Sequence, residues 1–292
     1  MLVSQYGVRS YQEAYEMYEL TEPGTNSRVL VCPERGGIVT SCRLRGIELF
    51  YLDQATFEHP AANIRGGNPI LFPICGQLDG QSYEWNGRSY KMANHGVART
   101  SAWEVVGTSA DGEASVTIRL TSDERTLESF PFAFELLFTY ALKDGELHTR
   151  QTYRNLSESG AMPFYAGFHP YFAIDGDKKI AYESDATKYL DYNDNVVKPF
   201  EGSVDLEELV ESVCLLDPKK AEISFPGAAG ARVRMTYDGI FKYVVLWSVK
   251  DRPFVCVEPW MAMTGELNRQ EELVMLEAGG ELRANLTIGC DK

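Results

Sequence analysis

Apolar and polar residues alternate along most of the chain in short runs set apart by turn residues. Ser115-Val116-Thr117-Ile118-Arg119-Leu120-Thr121 alternates at nearly every step, the period of a strand with one buried face. The run Phe134-Glu135-Leu136-Leu137-Phe138-Thr139-Tyr140 stops just ahead of Lys143-Asp144-Gly145, and Glu146-Leu147-His148-Thr149-Arg150-Gln151-Thr152-Tyr153 follows. An Asp-Gly pair takes the positive φ values of a tight turn, so the pattern predicts a hairpin. Asn86-Gly87 between Ser82-Tyr83-Glu84-Trp85 and Arg88-Ser89-Tyr90 predicts a second. Further strands are expected over 232–237, 243–247, 254–258 and 282–288. Helical signals are few: 205–213 has room for two turns, and 11–20 fits helix or strand. Strands joined by turns rather than by helices predict an all-β class, a large antiparallel β-sandwich. No internal repeat, low-complexity tract or Pro/Gly/Ser linker interrupts the chain, and residues 1–292 are read as one domain.

Composition narrows the partners. The 292 residues are 44% hydrophobic and 24% charged, an ordinary globular balance long enough to fold without disulfides or metal staples. A net charge of −14, from 42 acidic against 28 basic residues, repels phosphate backbones and anionic lipid. The expected partners therefore include no nucleic acid and no membrane. No run approaches the roughly 20 apolar residues of a membrane span. Met1-Leu2-Val3-Ser4-Gln5 lacks the basic and apolar regions of a signal peptide. Cys32, Cys42, Cys75, Cys214, Cys256 and Cys290 form no CxxC pair. They are expected as reduced thiols, in keeping with a cytoplasmic location.

Three segments break the alternation and gather groups that move protons. One runs from Asn63 through Arg65-Gly66-Gly67-Asn68-Pro69 to Pro73, with Asn94-His95-Gly96-Val97-Ala98-Arg99 following. Another is Phe164-Tyr165-Ala166-Gly167-Phe168-His169-Pro170-Tyr171, and the last is Phe254-Val255-Cys256-Val257-Glu258-Pro259-Trp260. His95, between Asn94 and Gly96, caps a loop or strand end, where a histidine bonded to backbone is the plain alternative to a functional one. His169 stands in an aromatic wall, as a packed core histidine or as a water-excluded proton donor; desolvation there lowers its pKa and a nearby carboxylate raises it. Glu258 ends an apolar run ahead of Pro259, which is expected to stop the ladder. A carboxylate so placed has a firm ion-pair partner or does chemistry. Two histidines and one glutamate are the inventory of general acid–base catalysis near neutral pH. By residue type they also suit zinc. However, at least 70 residues separate each from the next and no local ligand spacing is present, so no metal is expected. Arg65-Gly66-Gly67 runs into Asn68-Pro69 rather than opening a helix, so it is not a phosphate loop. No Ser-His-Asp or Cys-His arrangement has a supporting motif.

Taken in order, Pro69-Ile70-Leu71-Phe72-Pro73-Ile74-Cys75-Gly76, His95-Gly96-Val97-Ala98-Arg99, Gly167-Phe168-His169-Pro170-Tyr171-Phe172 and Cys256-Val257-Glu258-Pro259-Trp260 resemble the aldose 1-epimerase family. The closer likeness is to the branch of LacX-type proteins and hexose-6-phosphate mutarotases. The resemblance implies a galactose-mutarotase-like supersandwich with its site in a cleft on the concave sheet face. It implies Glu258 as the base that takes the anomeric hydroxyl proton and His169 as the acid that serves the ring oxygen. His95 would bond the sugar beside that oxygen, while Arg65 and Arg99 would face a phosphate or hydroxyls. Phe168, Tyr171 and Trp260 would cover the apolar face of a pyranose. The reaction needs no cofactor, and the partner is a small sugar or sugar phosphate handled by a monomer or homodimer. Two departures stand out. Gln77 follows Gly76 where many relatives carry arginine, which bears on substrate preference. The family's substrate-binding aspartate has no clear match among Asp191, Asp205 and Asp217. Two other readings compete: a carbohydrate-binding sandwich without catalysis, and a polysaccharide lyase or glycosidase. Many glycosidases use a carboxylate pair, and only one convincing carboxylate is found.

Overall fold

The computed structural model describes residues 5–176 and 178–291. Its architecture is an antiparallel β-sandwich. One sheet has seven strands in the order Glu222–Pro226, Arg232–Tyr237, Glu281–Asp291, Glu146–Asn155, Phe134–Lys143, Ala114–Thr121 and Glu104–Ser109. The facing sheet runs Val196–Pro199, Lys188–Asp191, Val213–Leu215, Tyr243–Trp247, Phe254–Trp260, Gly167–Phe168 and Ile70–Leu71, with Tyr171–Ala173 also paired to Phe254–Trp260. Five N-terminal strands between Gly7 and Glu48 make a third sheet. It is tied on by the Tyr140 hydroxyl, which donates to the Gly37 carbonyl, and by Glu22, whose carboxylate accepts the Asp144 and Gly145 amides.

Both expected hairpins form. Asp144 and Gly145 have φ of 55° and 73°, and Asn86 and Gly87 have 50° and 73°, the two positive values that match the twist of flanking strands. Alternation in the seven-stranded sheet buries Phe134, Leu136, Phe138 and Tyr140 on one face. These rings meet the facing sheet, with Phe138 6.1 Å from Phe168 and Phe134 5.0 Å from Phe72 between centroids. Among the described residues no helix is long and apolar enough to cross a membrane, and all six cysteines are buried thiols.

Two expectations change, and one open reading is settled. Residues 205–213 form no helix: the Asp205 carboxylate turns back to the Glu207 amide, and the Asn193 side chain takes the Val210 and Glu211 amides that a helix would have used. Residues 11–20 resolve into an antiparallel pair, Gly7–Gln12 with Glu16–Glu22. The strand that carries Glu258 does not stop there but continues through Pro259 to Trp260. The chain beside it breaks between Gly167, opposite Trp260, and Tyr171, opposite Cys256. The ladder is therefore incomplete around Pro259, where a residue without an N–H is tolerated.

Candidate active site

Phe254–Trp260 is buried at all seven positions because both of its faces are covered. Val255 and Val257 point into the main core. Cys256 and Glu258, two residues apart, share the other face, and Glu258 lines a cleft of about 560 Å³, a size suited to a small-molecule ligand. Val245 and Trp247 lie opposite Glu258 and Cys256 in register and share that face.

The Glu258 carboxylate is 1% exposed. Its Oε2 accepts the Trp260 indole N–H at 3.1 Å, and its Oε1 lies 3.4 Å from His169 Nδ1. Desolvation pushes its pKa well above the usual carboxylate range, against the pull of the Trp260 bond and the Arg99 charge. The result is a strong base held in a dry floor.

His169 follows the short pairing of Gly167–Phe168 with Ile70–Leu71, and its own amide donates to the Pro69 carbonyl. Its ring stacks on Tyr171 with centroids 4.8 Å apart and meets Trp247 and His95 edge-on at 5.8 and 5.2 Å. Desolvation, then the Arg99 and Arg65 charges, lower its pKa well below the usual imidazole value. Burial lifts one group and lowers the other, and both shifts favour the uncharged pair, a protonated Glu258 beside a neutral His169.

His95 sits in a backbone kink with φ of 63°, followed by Gly96 at 76°. A Cβ on Gly96 would strike the Phe72 carbonyl, so only glycine lets the chain pass there. The His95 amide donates to the Gly76 carbonyl, and the Gly76 amide donates back to His95 Nδ1 at 3.0 Å. With Nδ1 committed as an acceptor, the proton of the neutral ring belongs on Nε2, which makes His95 a donor. Desolvation and the neighbouring His169 and Arg99 charges hold its pKa well down and keep it neutral.

Arg65 and Arg99 line the same cleft. The Arg65 guanidinium lies 5.3 Å from the Trp247 ring centre, and Arg99 donates to Asn63 Oδ1. Gln77 is at the rim, its amide and carbonyl both bonded to the Thr264 hydroxyl. Of the eight site residues expected from the sequence, seven line the cleft: Arg65, Gln77, His95, Arg99, His169, Glu258 and Trp260. Phe168 does not. Alternation that turns His169 to the cleft turns Phe168 inward, where it is fully buried against Phe138 and Phe241. The sequence reading gave no role to Trp247, Asn63, Tyr192, Glu211 and Thr264, all of which line the cleft. Trp247 was accessible from period 2 along 243–247; the others lie on loops that no periodicity places.

None of the three candidate aspartates is among the cleft-lining residues. Asp191 pairs with Lys198, Asp205 turns its own loop, and Asp217 holds Thr187. The second cleft carboxylate is Glu211, on a segment whose backbone the Asn193 side chain grips and whose Val210 carbonyl accepts the Trp247 indole N–H.

Comparison with known proteins supplies the family and the fold. The family model "Aldose 1-epimerase" matches residues 16–289. The chromosomal LacX protein of Lactococcus lactis subsp. lactis is 28% identical over 263 residues, covering 80% of this chain and 84% of its own. The solved structure of Slr1438 from Synechocystis sp. PCC 6803 superposes with a TM-score of 0.90 at 30% identity, covering 100% of this chain and 98% of that one. A galactose mutarotase-like protein from Lactobacillus casei shares the fold, with a TM-score of 0.75 at 22% identity over 98% of this chain and 100% of its own.

Proposed function

The chain belongs to the aldose 1-epimerase family, and from that premise we propose that it interconverts the α- and β-anomers of an aldohexose by general acid–base ring opening. The observation that carries this reading is the pair Glu258 and His169, 3.4 Å apart at the floor of a cleft about 560 Å³ in volume.

The reactive form of the pair is carboxylate plus imidazolium, while burial favours the same proton on Glu258 beside a neutral His169. Glu258 takes the proton from the anomeric hydroxyl O1, and His169 gives its proton to the ring oxygen O5. The C1–O5 bond breaks and an aldehyde forms at C1. Glu258 is left protonated and His169 neutral, so the pair has gained and lost one proton. Rotation about C1–C2 presents the other carbonyl face. Reclosure, with each transfer reversed, gives the second anomer and regenerates the pair. No electron leaves the sugar, so the reaction itself asks for no redox cofactor. Each positioned proton transfer contributes roughly 10²–10⁴-fold, and holding the sugar in register adds to it. His95 Nε2–H donates to the sugar beside O5, and Trp260, fixed by its bond to Glu258, offers a ring face to the pyranose.

The finer choice of substrate turns on Arg65 and Arg99. Two guanidinium groups on one cleft favour a phosphorylated hexose, since a guanidinium meets phosphate through paired hydrogen bonds. Polarimetry on freshly dissolved α-glucose, α-galactose and glucose 6-phosphate separates the readings. A faster approach to equilibrium with any of them supports anomerisation, and the substrate with the largest kcat/KM identifies the class. Saturable sugar binding with no acceleration is the outcome expected of a catalytically inactive carbohydrate-binding sandwich.

A further inference from the structure

Glu258 and Cys256 stand two residues apart on one face of their strand, and the adjoining chain brings His169 over them. Tyr171, two residues beyond His169, pairs with Cys256 in register. One ligand atom from each of His169, Cys256 and Glu258 falls within 4.8 Å of the others, and all three residues are buried. His169 is 8% exposed, and its Nδ1, fully shielded, makes no hydrogen bond. An imidazole nitrogen that makes no hydrogen bond, beside a thiol and a carboxylate oxygen, is a donor set missing its acceptor.

We infer that this floor is a binding site for a thiophilic divalent cation of the zinc class, which shuts the active site when it occupies it. Imidazole, thiolate and carboxylate are all ordinary zinc ligands, with bonds of about 2.0–2.3 Å that place tetrahedral donors roughly 3.3–3.8 Å apart. His169 Nδ1 and Glu258 Oε1 already stand 3.4 Å apart, and side-chain rotation draws in the thiol. Cys256 clusters with Tyr171 and Phe254 in a buried patch. His95 does not complete the set, because its Nδ1 is taken by the Gly76 amide. The fourth coordination position opens to the cleft, for water or a sugar hydroxyl. The cation displaces the thiol proton on binding and holds base and acid in coordinate bonds, so neither can exchange a proton with sugar. The consequence for catalysis rests on the proposed function; the metal site itself does not.

The test uses the full chain stripped of metal, titrated with Co²⁺ as a spectroscopic probe and then with Zn²⁺ against a chromophoric chelator. The expected result is one tight equivalent with tetrahedral cobalt bands and a thiolate-to-cobalt charge-transfer band, both displaced by Zn²⁺. Cys256→Ser loses the charge-transfer band and weakens zinc binding by at least roughly tenfold. Glu258→Gln, which retains the thiol, keeps the band and also binds more weakly. A wild-type cobalt spectrum without the thiolate band, or zinc affinity unchanged in both variants, overturns the site. Anomerisation is expected to fall with zinc occupancy and return on adding chelator. A chain that turns over sugar but never shows the thiolate band removes the metal site alone. A chain that shows the band but turns over no sugar leaves the site in place and removes the proposed function instead.

Discussion

The roles proposed for Glu258 and His169 rest on their burial and on the 3.4 Å between them. Glu258→Gln keeps the shape and the Trp260 bond but cannot accept a proton, so the enzymatic anomerisation rate is expected to fall by roughly 10³-fold or more while sugar affinity stays within a few-fold. Calorimetric binding beside polarimetry reads both; wild-type rates in this variant contradict the role of the base. His169→Asn is expected to lose rate on a similar scale. His95→Asn removes a donor rather than the proton relay, so KM should rise more than kcat falls. Equal, small effects from both histidines contradict the division of labour. Residue type marked these three as acid–base candidates and the family resemblance supplied the roles proposed for them; the structure brings all three to one cleft. Phe168 adjoins His169 in the chain but not on its face, because neighbours on a strand point to opposite sides. Cys256 shows the same rule working the other way: its two-residue offset from Glu258 brings it to the same strand face, within reach of Glu258 and His169.

Elements with local signals were readable, and those built on long-range bonds were not. Asp-Gly and Asn-Gly fixed two hairpins through φ alone. The segment 205–213 looked helical by composition, yet its amides are held by Asn193, a residue at least ten positions away. Asn193→Ala is expected to release that rim, seen as faster hydrogen exchange at the Val210 and Glu211 amides with the core unchanged; equal protection means the clamp is not what holds it. The short helix Glu124–Ser129, which the pattern did not announce, starts with a capping box between Asp123 and Thr126. The Thr126 amide bond, the first cause, and the Arg125 charge hold the Asp123 carboxyl below its usual range. A carboxyl lowered by folding adds stability above its unfolded pKa and gives it up as pH falls through the folded value. Asp123→Ala should therefore cost about 1 kcal/mol at neutral pH. The gap from wild type should narrow as pH falls through the folded value; a gap that keeps its size in acid contradicts the charged cap.

For the whole molecule, the all-β reading held because short strands joined by turns leave few other architectures. The cleft floor could not be read in the same way: it is made of segments from residues 63 to 264 whose meeting depends on strand order, not on any local pattern. Charge acts on the same scale. A net −14 disfavours an anionic substrate everywhere except where Arg65 and Arg99 stand. If those guanidiniums bind phosphate, Arg65→Gln should lower kcat/KM for glucose 6-phosphate by about tenfold or more and leave glucose nearly unchanged. Equal losses on both substrates would assign Arg65 to hydroxyls.

The central claim is that the proton acceptor at 258 and the donor at 169 act together on one anomeric centre. The most direct measurement is the rate of α-to-β exchange, followed by polarimetry in excess chelator, for wild type, Glu258→Gln, His169→Asn and the double variant. Two halves of one relay predict fast exchange in the wild type and a double variant little slower than either single one. Wild-type exchange at the spontaneous rate on every aldose and aldose phosphate tried, or losses that simply multiply in the double variant, contradict it.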